Sequence, residues 1–462
     1  MPRRKKKSTV DARPVDPLSQ INPNAAGLDI GAEEIYVCVP ADRDEQSVRA
    51  FGTFTVDLNA LADWLTSCGI DTVAMESTGV YWIPVYEILE SRGFEVYLVN
   101  ARHLKNVPGK KTDVLDCQWI QQLHTYGLLQ RSFRPPEEIC ALRALVRQRE
   151  NLVRYRSAHI QHMQKALQQM NVQLTQVVSD ITGVTGMSII RAIVSGERDP
   201  KVLARMRNRQ CARSEAEIAA ALEGHYKREH LFVLKQSLDE YDFYDGQIQE
   251  CDAELEAMYA ALPSGTEEGD LAPPAPKPRG GKPRKNQAHF DLATALYRIV
   301  GVDLTAIDGI DALTAQKIIS EIGLDMSKWP TVKHFTSWLG LAPHTKKTGG
   351  KVISTRTKKT QNRANTALRV AAQTLWRSHS ALGGFYRRMR AKHGPAVAIV
   401  ATAHKLARII YRLLKYRVAY VDPGEAYYEQ QYRQRTIRNL KRKAASLGFV
   451  LAAADSQPNY VS

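Results

Sequence analysis

The sequence predicts an α/β domain, then a long helical region, then a mainly α-helical C-terminal domain. Three observations predict this fold class: strand and helix patterns alternate over residues 25–130, an apolar heptad pattern begins near residue 135, and a Pro/Gly/Lys-rich segment precedes further helical patterns. At 462 residues the chain exceeds one ordinary core, which indicates two or three domains.

Six segments differ in composition and periodicity. In chain order we predict a basic disordered tail (1–24), the α/β domain (25–130), a helical coiled-coil region (135–262), a linker rich in Pro, Gly and Lys (263–288), the C-terminal domain (289–422) and a basic helical tail (423–462).

Short apolar runs and helical spacings alternate in the α/β domain. Runs rich in β-branched and aromatic residues predict strands, and apolar residues three and four apart predict helices. The predicted strands lie within residues 26–39, 47–56, 72–75 and 95–99, and the predicted helices span 58–68, 80–92 and 112–126.

The helical region carries an apolar pattern that alternates in steps of three and four residues from Ile139 to Leu174. Five such heptads predict a coiled coil, and a second helical stretch at 232–262 could return antiparallel against it. Arg149 and Arg156 occupy two positions of the apolar seam. They could specify the register of the pair or contact phosphate, and the sequence leaves both roles open.

The chain is strongly basic, with a formal net charge of +16 and a pI near 9.5. Such an excess favours a polyanionic partner over a merely soluble basic protein. The six cysteines form no CxxC pair, which disfavours a zinc site or a disulfide framework and fits a reducing cytoplasm. We expect no membrane span and no signal peptide, and the start MPRRKKKSTV is either a solvated tail or a phosphate-gripping arm.

Four acids are candidates for a metal site. Asp29 lies between apolar residues of a predicted strand, Glu76 ends another, and Asp113 and Asp116 are three apart on one helix face. Each alone could be a solvated or capping residue. Together at one sheet edge they would repel each other unless divalent cations neutralised them. We therefore expect Mg²⁺, as two ions, in support of in-line displacement at phosphorus.

The C-terminal domain contains a pattern typical of a helix-hairpin-helix. A helix from residue 304, a tight turn at 308–311 and a second helix at 312–322 are predicted. Gly309 permits the turn, and backbone amides at the start of the second helix could hold a phosphate. An ordinary αα-hairpin is the alternative.

A basic loop follows, and its lysines, arginines and glycines can bring side chains and backbone close to phosphate. The predicted nucleic-acid contacts in it are Lys346, Lys347, Gly349, Gly350, Lys351, Arg356, Lys358, Lys359, Arg363 and Arg369.

Several segments resemble a family of insertion-sequence transposases that are described as bridge-RNA-guided recombinases. GLDIG, AMESTGVYWIPVYEIL and VNARHLKNVPGKKTDVLDCQWI resemble its DEDD-type domain, which has a RuvC-like, RNase H-like fold. LTAIDGIDALTAQKIISEIG and FTSWLGLAPHTKKTGGK resemble its C-terminal serine-type transposase domain. The resemblance implies that Asp29, Glu76, Asp113 and Asp116 are the catalytic, metal-binding acids.

The same resemblance implies a hydroxyl nucleophile that becomes covalently linked to DNA. The family's serine position holds Thr348 in this chain, and Ser354 is the fallback nucleophile. A threonine hydroxyl can attack a phosphate, but its methyl group restricts χ1 and crowds the approach. His344 could assist proton transfer, although a loop histidine is more often polar surface.

The sequence thus predicts a transposase, a site-specific recombinase that cuts and rejoins double-stranded donor and target DNA and is guided by a structured RNA. We expect a homodimer or homotetramer in the bacterial cytoplasm, associated with the nucleoid. The alternatives are a RuvC-like junction endonuclease that uses water, and a catalytically weakened nucleic-acid-binding relative in which Thr348 marks lost activity. A structural coiled-coil scaffold would leave the four acids unexplained.

Overall fold

The computed structural model describes residues 19–77, 79–100, 113–266 and 285–452, except for the side chain of Asp113. The chain divides into two compact units, Met1–Arg134 and Pro135–Ser462. The first unit is built on a β-sheet, and the described part of the second consists of helices and one β-hairpin.

The first unit contains a mixed five-stranded sheet with strand order β3-β2-β1-β4-β5. β1 pairs antiparallel with β2 and parallel with β4, β2 pairs antiparallel with β3, and β4 pairs parallel with β5. This sheet and its helices fit the predicted RNase H-like α/β domain. The strands are β1 (Ala25–Ile30), β2 (Glu34–Cys38), β3 (Val48–Gly52), β4 (Thr72–Glu76) and β5 (Glu95–Val99), and the helices are α1 (Thr55–Ser67), α2 (Trp82–Ser91) and α3 (Asp113–Thr125).

The two faces of this sheet bury different helices. Leu28, Ile30 and Met75 belong to the core that includes residues of α1 and α2. Ala74 of β4 packs with α3 on the opposite face. α3 crosses β1 so closely that a Cβ on Gly27 would lie 2.4 Å from the carbonyl oxygen of Cys117 in α3. Only glycine therefore fits at that strand position.

Residues 19–24 pack against the rest of the first unit. This differs from the prediction, in which the disordered tail extends to residue 24. The amides of Ile21 and Asn22 both donate to the carbonyl oxygen of Thr125, at 2.9 and 3.0 Å. The carbonyl oxygen of Asn24 accepts from the amide of Asp71. These bonds use the end of α3 and the start of β4, so the compact unit begins before Ala25.

Two long helices dominate the first half of the second unit. They are connected by four short helices, whose buried residues form one apolar core with the adjacent ends of the long pair. In chain order the helices are α4 (Glu137–Gln169), α5 (Leu174–Val177), α6 (Val184–Ser195), α7 (Pro200–Ala204), α8 (Glu215–Ala221) and α9 (Arg228–Ala261).

α4 and α9 run antiparallel, and one buried and one partly buried ion pair join them. Arg149 binds Asp252 with 2.5 and 3.0 Å hydrogen bonds, and Arg156 pairs with Asp245. The partner numbers fall along α9 as they rise along α4, which defines the direction. Asp252 is fully buried and also accepts from His289. Of the two roles left open for these arginines, the structure favours fixing the register of the pair.

The C-terminal half of the second unit is mainly α-helical, as predicted. Its helices and strands are α10 (Leu292–Val300), α11 (Ala312–Ile322), α12 (Val332–Trp338), β6 (Lys346–Thr348), β7 (Lys351–Ser354), α13 (Arg363–Thr374), α14 (Ala381–His393), α15 (Pro395–Tyr416) and α16 (Gly424–Ser446). Phe335 is buried against Trp329, Trp338 and Tyr411, and Trp338 is partly buried beside it.

The first element of the predicted helix-hairpin-helix differs from the prediction. Only a 3₁₀ turn of three residues, Leu304–Ala306, precedes the tight turn, whereas α11 matches the predicted second helix. Asp303 caps this turn by accepting from the amide of Thr305, and Ile307 already has extended backbone. The apolar run at residues 304–307 therefore forms a single 3₁₀ turn and not the predicted helix.

The helical region and the C-terminal helices pack together within the second unit. Arg147 of α4 makes 2.8–3.0 Å hydrogen bonds to the carboxylate of Glu321 in α11, and Arg143 donates to the carbonyl oxygens of Ser320 and Glu321. The predicted linker between them lies partly outside the described residues, at 267–284. In the described part of the chain, no helix is long and apolar enough to cross a membrane.

Candidate active site

Two of the four predicted acids lie at the carboxyl ends of adjacent parallel strands. Leu28 of β1 is in register with Met75 of β4. Asp29 and Glu76 are the next residues, so they occupy neighbouring positions on strands about 4.8 Å apart. Because strand side chains alternate, both acids lie on the sheet face opposite Leu28 and Met75, which is the face that α3 covers. Both side chains are partly buried.

The direction of α3 brings its first turn over the same sheet edge. Near the end of α3, His124 Nε2 lies 2.9 Å from Thr72 Oγ1 at the start of β4. Near the middle, the Gln121 side-chain amide donates to the carbonyl oxygen of Ala25 at the start of β1. α3 therefore runs antiparallel to both strands, and its N-terminal end lies towards their carboxyl ends.

The remaining two acids are in that N-terminal part of α3. Asp116 is partly buried, and it directly precedes Cys117, whose carbonyl oxygen contacts β1 at Gly27. Asp113 is the first residue of the helix, and the orientation of its side chain is outside the described residues. The sheet and helix thus direct three described acids to one region, with Asp29 and Glu76 as immediate neighbours.

The electrostatics of Cys117 link this part of α3 to Asp29. The pKa of the buried Cys117 thiol is raised by its hydrogen bond with the Cys38 thiol, by burial and by the negative charge of Asp29. Asp29 therefore acts electrostatically on the segment that contains Asp116. A divalent cation at this edge would offset the negative potential that these acids create.

The acids match Mg²⁺ in donor chemistry, because carboxylate oxygens are its preferred protein ligands. Among the residues whose side chains the structure describes, no three His, Cys, Asp or Glu side chains form a group that could hold a metal ion. In the structure Asp29 and Glu76 are therefore neighbours, but the two do not form a metal-binding group together with Asp116. The side chain of Asp113, the fourth predicted ligand, is not among those that the structure describes.

The predicted nucleophile is on a β-hairpin in the second unit, where the sequence predicted a loop. Thr348 ends β6 and pairs with Lys351 of β7 across a turn formed by Gly349 and Gly350. Both glycines have positive φ, +51° and +79°, which is typical of a two-residue hairpin turn. Thr348 is exposed at the tip of the hairpin, so its hydroxyl is accessible.

Ser354 and His344 lie near the base of the same hairpin. Ser354 is partly buried, and its hydroxyl accepts a 3.3 Å hydrogen bond from the amide of Arg356. This is an ordinary hydrogen bond within a loop, which accounts for Ser354 without a catalytic role. His344 is exposed, and its amide donates to the carbonyl oxygen of Arg356. Of these hydroxyls, the structure gives Thr348 the more open position.

The predicted phosphate contacts around the hairpin are all exposed. They are Lys346, Lys347, Gly349, Gly350, Lys351, Arg356, Lys358, Lys359, Arg363 and Arg369. Arg363 forms a 3.3 Å ion pair with Glu150 of α4, which Lys317 also contacts. Arg363 therefore has a structural partner of its own.

Gly309 has a different environment from the hairpin glycines. Its φ is +86°, as the predicted tight turn requires. A Cβ at this position would meet the carbonyl oxygen of Ala371 and the hydroxyl of Thr374, so this side of the turn packs on α13. The amide end of α11 is capped by Asp311, which accepts from the amide of Thr314. This carboxylate occupies an amide that a phosphate would otherwise use.

Comparison with protein-family models gives two matches in separate parts of the chain. Residues 26–172 match a DEDD-type IS110 model described as transposase, and residues 303–387 match the transposase IS116/IS110/IS902 family. Together the matched ranges cover half of the chain. The chain belongs to the IS110 family of DEDD transposases. Comparison with curated proteins gives no match.

The two matched ranges contain the two candidate parts of the transposase site. The first covers the sheet from Ala26 onward and α3, with all four acids, and continues through α4. The second covers α11, the β6–β7 hairpin with Thr348, and the first part of α14. α9 and α16 lie outside both ranges.

Several buried polar residues of this transposase were not singled out from its sequence. His124 is 1% exposed, contacts Thr72 and the ring of Tyr97, and has a pKa lowered to about 4 by burial. Asp252 and Glu321 bind the arginines of α4. Only the helical pattern of α3 could have indicated that His124 faces the sheet, because its sequence neighbours carry no further signal.

Proposed function

We propose that this transposase cuts and rejoins DNA with metal-bound carboxylates and a threonine nucleophile. The acids would be Asp29, Glu76, Asp113 and Asp116, and the nucleophile would be the hydroxyl of Thr348. The observation that carries the proposal is the position of Asp29 and Glu76 as neighbours at one sheet edge, under the N-terminal part of α3. This occurs in a chain that also matches the family's C-terminal transposase domain.

The acids would hold divalent cations, with Mg²⁺ as the expected metal and two ions as the expected number. When bound, such ions neutralise charge on a scissile phosphate and on the attacking and leaving oxygens. The protein contributes a rigid frame, because Asp29 and Glu76 are fixed by paired strands. Their partial burial limits screening of the site by solvent.

Thr348 would carry the covalent chemistry. Its Oγ1 forms a bond to phosphorus as the bond from phosphorus to one DNA oxygen breaks. The departing oxygen keeps the electron pair and takes up a proton, and the threonine proton passes to solvent or a nearby base. The new phosphothreonine diester retains the energy of the bond that was broken. A hydroxyl of another DNA end can then reverse the attack, so no nucleotide hydrolysis is needed.

The partners in this proposal are double-stranded donor and target DNA and a structured guide RNA. The net charge of +16 and the exposed lysines and arginines of the hairpin support a polyanionic partner. We further propose a homodimer or homotetramer, in which the acids of one protomer act with the Thr348 hydroxyl of another. Sequencing nucleic acid that copurifies with the chain, and matching it to DNA beside its gene, tests the RNA partner.

A plasmid recombination assay tests the catalytic residues. Asp29→Asn and Thr348→Ala should each reduce recombination by on the order of 10³-fold or more, since each removes a group needed for the same step. Thr348→Ser should retain activity. The matched controls are Asp42→Asn and Thr355→Ala, which change exposed residues of the same two types and should recombine as wild type does.

The same variants distinguish the competing mechanisms. A covalent protein–DNA adduct that forms with wild type and Thr348→Ser, but not with Thr348→Ala, supports the threonine nucleophile. DNA cleavage by Thr348→Ala without an adduct would favour a water-using junction endonuclease. Loss of activity in Ser354→Ala alone would move the nucleophile to Ser354. Equal background recombination by wild type and Asp29→Asn would favour a relative that only binds nucleic acid.

A further inference from the structure

A small cavity between α14, α15 and α16 is lined by cationic and aromatic side chains. Its volume is about 380 Å³. Its described lining includes no aspartate or glutamate. The lining residues that matter here are Phe385, Arg388, Lys392, Lys405, Tyr432 and Arg435. Apart from Phe385, all of them lie beyond residue 387, outside both family-model matches. We call this the α14–α16 cavity.

The four cations that line this cavity form no ion pair with the described residues, although Glu429 acts on Arg388 from a distance. No ion pair joins Arg388, Lys392, Lys405 or Arg435 to a described carboxylate, although the nearby Arg387 binds Glu425. Nη1 of Arg388 is buried, and no described residue offers it a hydrogen bond. A buried guanidinium nitrogen without an acceptor is unfavourable. An anionic ligand would remove that cost.

The charges also repel one another. The pKa of Lys405 is lowered by burial and then by the positive charges of Arg388, Arg408 and Arg435. The pKa of Arg388 is lowered chiefly by burial; Tyr432 and Glu429 act to raise it, and the positive charge of Arg435 acts to lower it. An anion between these groups would reverse both effects, because each cation would gain an opposite charge.

Aromatic rings hold the cations in place and offer a stacking surface. The guanidinium of Arg388 lies 4.6 Å from the ring centre of Tyr428 and 3.3 Å from that of Tyr432. Nζ of Lys405 lies 4.0 Å over the ring of Phe385. Tyr432 remains 39% exposed. Cations beside an accessible aromatic ring are the combination that binds phosphate and stacks a base in single-stranded nucleic acids.

We propose that the α14–α16 cavity binds a phosphodiester of a single-stranded nucleic acid, with an adjacent base stacked on Tyr432. The volume is within the range of pockets that enclose small groups, and it does not admit a duplex. RNA and DNA strands share the phosphodiester and the base, so this chemistry is common to both. The site is separate in sequence from Asp29 and Thr348, and its occupation does not require their proposed catalytic roles.

Fluorescence anisotropy of the full chain with labelled 12-nucleotide single strands tests the site. Tyr432→Leu should weaken binding by about tenfold through lost stacking. Arg435→Gln should weaken binding and reduce the slope of log affinity against log salt by about 0.7, the effect of one phosphate contact on a single strand. Arg433→Gln, an exposed arginine of the same helix outside the cavity lining, is the matched control and should leave the slope unchanged.

Further arms identify the ligand. DNA and RNA strands of one sequence are compared, and the tighter one is the source of the phosphodiester. The proposal would be overturned if Arg435→Gln and Arg433→Gln lowered the affinity for the strand equally. It would also be overturned if a mononucleotide bound as tightly as the strand. The proposal would also be overturned if Arg435→Gln and Tyr432→Leu weakened the binding of a duplex as much as they weaken the binding of the single strand. Asp42→Asn, which changes an exposed acid of the first unit outside the proposed catalytic set, should bind the strand as wild type does.

Lys405→Met distinguishes a ligand site from a purely structural cation–aromatic contact. We expect that its melting temperature without nucleic acid is at least that of wild type, because a half-buried, repelled charge is removed. The increase in melting temperature that the strand produces in wild type should be lost. A lower melting temperature with undiminished strand binding would show that Lys405 only holds the helices together.

Discussion

The positions of Asp29 and Glu76 follow from strand alternation and from the register of two paired strands. Asp29 shares β1 with Leu28 and Ile30, which point into the core with α1 and α2. Alternation therefore turns Asp29 to the other face, and the parallel register with β4 brings Glu76 beside it. No contact between the two carboxylates is needed to hold them there, since the backbone ladder positions both. Conservative replacement of either acid should thus leave the fold intact.

His124 should make the first unit sensitive to acid. Burial lowers its pKa from 6.5 to about 4 in the folded chain, so the unfolded chain binds the extra proton between these values. Stability is complete above pH 6.5 and falls as pH decreases towards 4. The full effect is about 3 kcal/mol, from the size of the shift. Urea unfolding measured between pH 4 and 7.5 gives this dependence.

Two histidine variants separate His124 from other acid-sensitive groups. His124→Gln should flatten the pH dependence of the unfolding free energy in this range. His344→Gln, which changes an exposed histidine, should leave the dependence as in wild type. An unchanged pH profile in His124→Gln would show that His124 is not the group responsible.

At the scale of elements, the α4–α9 pair is held in register by buried charges as well as by apolar packing. The side chain of Arg149 is 6% exposed and that of Asp252 is fully buried. A shift of one helix turn would leave both charges buried and unpaired, which is far less favourable than the native pairing. The two charges therefore exclude alternative registers more than they add net stability.

Breaking this pair on one side should be costly. Arg149→Met leaves Asp252 buried without its main partner and should lower the free energy of unfolding of the helical region by about 3–5 kcal/mol. Arg149→Met with Asp252→Leu should recover much of this loss, because no buried charge remains unpaired. Loss of helical circular dichroism in urea measures both variants.

An exposed ion pair in the same region provides the control. Arg191 pairs with Asp242 of α9, and their side chains are 52% and 40% exposed. Arg191→Met should lower the unfolding free energy by no more than about 1 kcal/mol. If Arg149→Met were no more destabilising than Arg191→Met, the buried pair would not fix the register.

The elements that the sequence predicted best are those with a strong local pattern. The strands and helices of the first unit and the second helix of the 304–322 pattern were predicted from alternation and spacing. The partners of Arg149 and Arg156 could not be predicted from the sequence, because Asp252 and Asp245 contact these arginines only after two helices distant in the chain have paired. The β6–β7 hairpin was predicted as a loop, since its apolar residues Val352 and Ile353 are exposed and too few to give a strand pattern.

The same limit applies to the candidate site. Sequence spacing placed Asp29 on the face opposite its apolar neighbours, and it named Glu76 as a strand end. The register between β1 and β4 was not predictable, because these parallel strands pair through residues 47 apart in the chain. The direction of α3 over the sheet likewise depends on tertiary contacts such as His124 with Thr72.

For the whole molecule, the charge of +16 should make DNA binding strongly dependent on salt. We predict that replacing Lys346, Lys347 and Lys351 by glutamine reduces the slope of log affinity against log salt for duplex DNA by about 2.7, or 0.9 for each lost phosphate contact. Anisotropy of a labelled duplex over a salt series measures this slope.

A second triple variant tests whether the hairpin, rather than total charge, is responsible. Lys201, Arg209 and Lys227 are exposed in the helical region, and their replacement by glutamine removes the same net charge. In this second triple variant, the slope of log affinity against log salt should remain close to that of wild type. Equal reductions in the two triple variants would mean that the hairpin makes no particular phosphate contacts.

The most direct test of the proposed chemistry is a Mn²⁺ titration of the full chain, with free Mn²⁺ followed by electron paramagnetic resonance. Wild type should bind the ion, Asp29→Asn and Glu76→Gln should each lose most of that binding, and Glu45→Gln, which changes an exposed acid of the same unit, should retain it. Undiminished Mn²⁺ binding by both Asp29→Asn and Glu76→Gln would contradict a metal site at the carboxyl ends of β1 and β4.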